Sequence, residues 1–170
     1  MAWTETWAHR KVINLGFGWD RTQNVLWRLN HGEVDGIQPK FIVLNIGTNN
    51  LTPTSHSRAN TPGEISAAQV AIVERLRQRC PTARIIVMGI FPRREAPPTL
   101  TMQAIDRTNK LTSDSLSGKR GIQFLNIRDK LLEPDGTLSK KIFPDGTHPS
   151  AVGYHVWSQA LAEAGLFSPQ

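Results

Sequence analysis

Apolar residues gather in short continuous runs along this chain, separated by longer stretches in which they recur at helical spacing. Phe41-Ile-Val-Leu-Asn-Ile46 is apolar and β-branched and is followed at once by Gly47. Arg84-Ile-Ile-Val-Met-Gly-Ile90 has the same character and stops at Pro92. Lys11-Val-Ile-Asn-Leu15 and Ile122-Gln-Phe-Leu-Asn-Ile127 are weaker runs of the same kind. Runs that stay apolar on consecutive residues suit parallel strands covered on both faces. Between them, Thr61-Pro62-Gly63-Glu64 has the pattern of a capping box with proline at the first helical position. Ile65, Ala68, Ile72 and Leu76 then share one helical face until Cys80-Pro81 ends the run. Asp20 is the expected cap of a helix carrying Val25, Leu26 and Leu29, with Gln23 in the box position. Residues 100–116 form a weakly periodic helix. Ser150 caps a last one, with Val152, Val156, Trp157, Ala160 and Leu161 facing inward.

Strand alternating with helix predicts an α/β fold with a parallel, doubly wound sheet. Sites in such sheets lie in the loops after the strands' carboxyl ends. Three segments become candidates on that ground: Gly16–Asp20, Gly47–Asn50 and the stretch before the last helix. At 170 residues the chain reads as a single domain, residues 1–170, with no repeats or linkers. No apolar run approaches the ~18 residues of a membrane span. The lone Cys80 excludes an internal disulfide and any thiolate zinc cluster. A net charge of +6 raises nucleic acid as a partner, but the cations are dispersed and no binding motif accompanies them. A solvated basic surface is the expectation.

Candidate chemistry concentrates in the same loops. Asp145-Gly-Thr-His148 puts a carboxylate and an imidazole three residues apart in a turn. The carboxylate can hold one ring nitrogen protonated and leave the other free as a general base. The plainer alternative is an ordinary Asp-Gly turn followed by a surface histidine. Gly47-Thr-Asn-Asn50 closes the most apolar strand. It reads either as a turn or as the source of an Asn amide aimed at an oxyanion. Gly16-Phe-Gly18-Trp19-Asp20 runs into a helix and offers backbone amides to an anion. It is not a dinucleotide fingerprint, because the third glycine is absent. His9, His31, His56 and His155 have no partner at metal-ligand spacing, so no metal site is expected. No serine sits in a glycine-flanked turn after a strand, the setting that exposes a nucleophilic hydroxyl.

Taken in order, Asn14 to Leu29, Gly32-Glu33, Pro39-Lys40, Gly47 to Asn50, Gly89 to Arg93 and Asp145 to His148 resemble the SGNH (GDSL-type) esterases. The nearest branch is that of the platelet-activating-factor acetylhydrolase Ib catalytic subunits and their bacterial relatives. The resemblance runs from about Asn14 to Leu166. It implies a three-layer flavodoxin-like fold and hydrolysis of small acyl esters, of acetylated sugars or lipids, without metal or organic cofactor. It gives His148 the role of general base and Asp145 that of its orienting carboxylate. Asn49 becomes the oxyanion-hole asparagine, with Gly18 and Asn50 lining the substrate site. The family's oxyanion glycine falls on Trp19, whose backbone amide can still donate although its ring alters the pocket. Homodimers occur among such proteins; the compartment is not readable.

One departure is large. The family's nucleophile lies in a Gly-Asp-Ser turn after a first, central strand, and no Gly-Asp-Ser occurs in this chain. The resemblance aligns Met1 with the helical region beyond that turn. The expectation is therefore an N-terminally truncated domain lacking its central strand and inactive as given, with Met1 internal to a longer reading frame. In a 2-1-3-4-5 sheet such a loss would leave two apolar strands with unpaired backbone groups and a poorly stable domain. Two rivals stand beside this reading. One is a non-catalytic binding or interaction module on the esterase fold. The other is a hydrolase using another serine, in the Thr52–Ser57 loop.

Overall fold

Three of the four apolar runs pair side by side in the computed structural model, which describes Trp7, residues 10–93 and residues 98–166. β1 (Phe41–Leu44), β2 (Arg84–Met88) and β3 (Ile122–Leu125) form a parallel sheet in that order. Ile42 lies opposite Ile85, and Ile85 in turn lies opposite Ile122. Ile85, Ile86, Val87 and Met88 are fully buried, as expected of a central strand covered on both faces. Burying each such side chain contributes about 1.5–3 kcal/mol, so β2 is the axis on which the sheet holds. Among the described residues β1 and β3 are the edges; Phe41 is exposed and the other side chains of these strands are only partly covered.

Among the described residues four helices accompany the sheet: α1 (Thr22–Asn30), α2 (Pro62–Arg79), α3 (Pro98–Leu116) and α4 (Ala151–Glu163). α2 begins as its sequence requires. Thr61 Oγ1 accepts from Glu64 N at 3.3 Å, and Glu64 Oε2 accepts from Thr61 N at 2.8 Å. Arg58 also binds the Glu64 carboxylate, and this partner first, then the Thr61 amide, holds the carboxyl well below the usual range. Ile65, Ile72, Val73 and Leu76 of α2 are buried, and α1 packs against this helix. The helix stops at Cys80, whose thiol is pushed up by burial.

The residues group into two compact units. One comprises Phe17–Ile90 and Gln103–Asn126 and contains the whole sheet with α1 and α2. The other comprises the described residues within Met1–Gly16, Phe91–Met102 and Ile127–Gln170, including α4. In the second unit Ser150 caps α4, accepting from Gly153 N at 3.3 Å. Gly153 is required there, since a Cβ would stand 2.9 Å from Pro149 Cβ and 3.0 Å from Ile142 Cγ2. α4 packs on the 3₁₀ turn Arg128–Leu131.

Several expectations need correction. Lys11–Leu15 forms no strand. Asn14 folds its side chain onto Gly16 N at 2.9 Å, and Val12 and Ile13 remain exposed. Local bonding of an asparagine to its own backbone competes with a strand that has no partner. Only one apolar strand flanking the expected gap is therefore a strand, and its outer edge is open among the described residues. Asp20 does not cap α1; Arg21 is the cap position, and Asp20 is held by Arg28 instead. Val152, expected inside, is exposed, while Ala160 and Leu161 are buried as expected. β1 and β2 each end two residues before their apolar runs do, although Gly89 N still donates to Leu125 O at 2.9 Å.

Candidate active site

The turn before α4 brings Asp145 and His148 together. Phe143, almost fully buried, anchors the turn, and Gly146 N donates to its carbonyl at 3.1 Å. Gly146 has φ 85°, a left-handed conformation that favours glycine. This doubles the chain back, so that Asp145 Oδ1 accepts from both Thr147 N and His148 N at 2.8 Å. Its other oxygen, Oδ2, lies 2.7 Å from His148 Nδ1. The His148 amide, the His148 ring and the Thr147 amide together hold the Asp145 carboxyl well below the ordinary aspartate range. The carboxylate fixes Nδ1 as the protonated nitrogen. Nε2 makes no hydrogen bond among the described residues, and the ring is 82% exposed. An imidazole oriented in this way can take a proton through Nε2.

The other candidate residues lie in the sheet-bearing unit. β1 runs into Gly47, whose φ is 123° and whose missing Cβ would stand 2.8 Å from Ile90 Cδ1 and 3.0 Å from Ile65 Cγ2. Only glycine fits, and it turns the chain into the 3₁₀ turn Thr48–Leu51. Asn49 Nδ2 donates to the Asp20 carbonyl at 3.0 Å, which ties this turn to the loop ahead of α1. The amide's second N–H makes no hydrogen bond among the described residues. Trp19 has φ 65°, the sole non-glycine residue described with positive φ, and its residue is 86% exposed. Its backbone N–H is likewise unengaged among the described residues. Asp20 N donates to Phe17 O at 3.4 Å, closing the turn around Trp19. Gly18 is exposed, with nothing within 4 Å of where a Cβ would be. Two donors that the resemblance assigns to an oxyanion are thus free to donate, on a loop and turn joined through Asn49 and Asp20.

Asn50 differs from its neighbour. It is buried at 1% exposure, and its amide is fully occupied. Oδ1 accepts from Thr22 N at 3.0 Å, while Nδ2 donates to Thr22 Oγ1, Gln23 Oε1 and Asn60 Oδ1. The side chain ties the turn after β1 to the start of α1 and to Asn60. Arg21 joins it, donating from Nη2 to Asn50 O, Arg58 O and Asn60 Oδ1. Gln69 spans α2 to the end of β1, donating to Ile46 O at 2.7 Å and accepting from Thr112 Oγ1 at 2.6 Å. Asn109 bonds both backbone groups of Ile90. None of Arg21, Asn60, Gln69 and Asn109 is signalled by sequence, because a polar residue's burial depends on partners remote in the chain. No group of three or more potential metal ligands occurs among the described residues.

Fold and residues together define a class: a parallel α/β protein with an Asp–His pair before α4, a free backbone N–H at Trp19 ahead of α1 and a free Asn49 amide N–H after β1. The chain belongs to the GDSL-like lipase/acylhydrolase family, whose pattern matches residues 1–156. It is 35% identical over 159 residues to the platelet-activating factor acetylhydrolase IB subunit alpha1 of Bos taurus, covering 94% of this chain and 65% of that protein. It is 37% identical over 152 residues to the alpha2 subunit of Rattus norvegicus, covering 89% and 63% respectively. The chain thus spans about two thirds of these relatives' length or slightly less. A solved protein from Streptococcus pneumonia described as a platelet activating factor superposes with TM-score 0.78 at 23% identity, covering 95% of this chain and 76% of its own. An acylhydrolase structure from Bacteroides fragilis gives TM-score 0.80 at 19% identity, covering 96% and 78%. These two establish the fold. No helix among the described residues is long and apolar enough to cross a membrane.

Proposed function

We propose that this chain carries the base and the oxyanion donors of an esterase acting on small acyl esters, with the attacking serine outside these 170 residues. The observation that carries the reading is the Asp145–His148 pair, with Oδ2 at 2.7 Å from Nδ1 and Nε2 left open. In this mechanism His148 takes the proton of the serine hydroxyl as it attacks the acyl carbon. Asp145 holds the ring and balances the imidazolium. Asn49 Nδ2 and the Trp19 amide donate to the oxyanion of the tetrahedral intermediate. His148 then protonates the departing alcohol. Water, deprotonated by the same ring, releases the acid from the acyl-enzyme. The names of the relatives favour an acetyl group; an acetylated lipid or sugar is the substrate class that this reading takes.

A strand and turn ending in Gly-Asp-Ser, taken from a related acylhydrolase and fused ahead of the chain, tests the reading directly. Turnover of p-nitrophenyl acetate is expected, and it should vanish with His148→Ala. A folded but inert fusion would favour the rival, a binding module on the esterase fold, which the absence of Gly-Asp-Ser from this chain supports. Fluorophosphonate labelling of the chain by itself should leave its mass unchanged. A label absent from a denatured control would show that one of its own serines is activated.

A further inference from the structure

At the amino end of the sheet lies a second cleft, of about 420 Å³. Arg77 from the last turn of α2, Thr82 from the turn that follows, Arg84 at the start of β2, and Arg120 and Ile122 at the start of β3 line it. The strands are parallel, so this cleft and the Asn49 turn lie beyond opposite ends of the sheet, roughly 15 Å of strand apart. It is therefore separate from the oxyanion residues.

The charge in this cleft is one-sided. Three arginines line it and no acidic residue does. The nearest acid along α2, Glu74, is shared between Arg77 at 3.5 Å and Lys119 at 2.6 Å. Arg120 makes no ion pair among the described residues, and Arg84 donates to the Gln123 side chain. A cation in the last turn of a helix is ordinarily accounted for by the helix dipole, and this covers Arg77. It does not cover Arg120, which stands two residues ahead of β3. Guanidinium groups gathered around one cavity repel one another, and an anion seated among them relieves that repulsion.

We propose that this cleft binds the phosphate group of a small ligand. The guanidinium fork matches phosphate oxygens two at a time, and several forks in one cavity favour a dianion over a single carboxylate. The volume falls in the range of small-molecule sites. Thr82 is the one hydroxyl-bearing residue in the lining. The phosphate belongs to a soluble phosphate ester or to a lipid headgroup, which offer the same chemistry to the arginines.

The test is calorimetric titration of the full chain with sodium pyrophosphate at low ionic strength, beside co-sedimentation with vesicles of phosphatidylcholine containing phosphatidic acid. Saturable one-site binding of pyrophosphate, weakened about tenfold or more in R77Q/R120Q, is expected of a soluble ligand. Vesicle binding without pyrophosphate binding, lost in the same variant, assigns the phosphate to a lipid. Both substituted residues are exposed, so the variant should fold as the parent does, which circular dichroism would check. R84Q gives an independent reading from the strand side of the cleft, and R75Q, outside the lining, should bind normally. Absence of binding in both arms overturns the proposal. So does affinity that R77Q/R120Q and R84Q leave unchanged.

Discussion

Asn50 Oδ1 accepts the backbone N–H of Thr22 at 3.0 Å, so a side chain after β1 caps a helix that begins 28 residues earlier. The first backbone N–H groups of a helix have no internal partner, and α1 draws one of its partners from across the unit. Asn50→Ala should leave the Thr22 N–H without its partner and remove the Nδ2 donor from Thr22 Oγ1, Gln23 Oε1 and Asn60 Oδ1, of which Asn60 keeps Arg21 and Gln23 keeps the Thr22 hydroxyl. A loss of about 2–4 kcal/mol follows from combining a lost cap with buried polar groups left unpaired. Asn50→Asp keeps an acceptor for Thr22 but loses the donors, and should fall between. Urea denaturation would measure both. An Asn50→Ala midpoint equal to the parent's would dismiss the residue as a clamp.

Asp145 should titrate below the usual aspartate pKa of about 3.9, because its charged form accepts from two backbone amides and the His148 ring. A depressed folded pKa means that ionised Asp145 stabilises the turn above the unfolded value. That contribution is lost as pH falls through the folded value. The carboxylate is solvent-exposed, so the effect should shrink with added salt. Carbon-detected NMR of the side-chain carboxyl would follow this. His148→Ala should return the midpoint part of the way toward 3.9, leaving the Thr147 and His148 backbone donors in place. A midpoint that does not move would mean that the ring contact is unimportant in solution.

What the sequence discloses about these features depends on how far apart the partners lie. The capping box of α2 is legible because Thr61 and Glu64 meet within one turn. The Asp145–His148 pair is legible for the same reason, with three residues and a glycine between them. Lys11–Leu15 misleads because an apolar run reads as a strand whether or not a partner exists to pair with it. Asp20 misleads because its carboxylate has two uses, a local cap and a distant cation, and Arg28 wins. That bond is charge-assisted, whereas the cap would be a single bond to an amide that Asn50 already satisfies. Asn49 and Asn50 are adjacent and chemically identical, yet one amide keeps a free N–H and the other is buried. Only the direction of the 3₁₀ turn separates them.

Trp19→Gly should stabilise the protein. A side chain at φ 65° is strained by about 1–2 kcal/mol, and the exposed indole recovers little of this by burial. Glycine's greater freedom in the unfolded chain offsets part of the gain, leaving an expected net of about 0.5–1 kcal/mol. The Trp19 N–H survives the substitution, so an oxyanion donor would be retained in the serine-bearing fusion. A higher urea midpoint at unchanged slope is the expected result. A lower midpoint would show that the ring makes contacts worth more than the backbone strain.

The open edge of β1 makes a prediction at the level of single amides. Arg84 N donates to Lys40 O at 3.0 Å, and alternate residues of a parallel strand face opposite neighbours. Lys40, Ile42 and Leu44 therefore turn their backbone groups toward β2, while Phe41 and Val43 turn theirs toward the edge. Hydrogen exchange should be slow at Ile42 and Leu44 and faster by at least about tenfold at Phe41 and Val43, since only the former pair are locked in the ladder. Equal protection at all four would mean that a further strand covers the edge. In the fusion carrying a Gly-Asp-Ser strand, that equalisation is the expected outcome if the added strand pairs with β1. The same amides thus report whether the sheet is completed, independently of whether esterase activity appears.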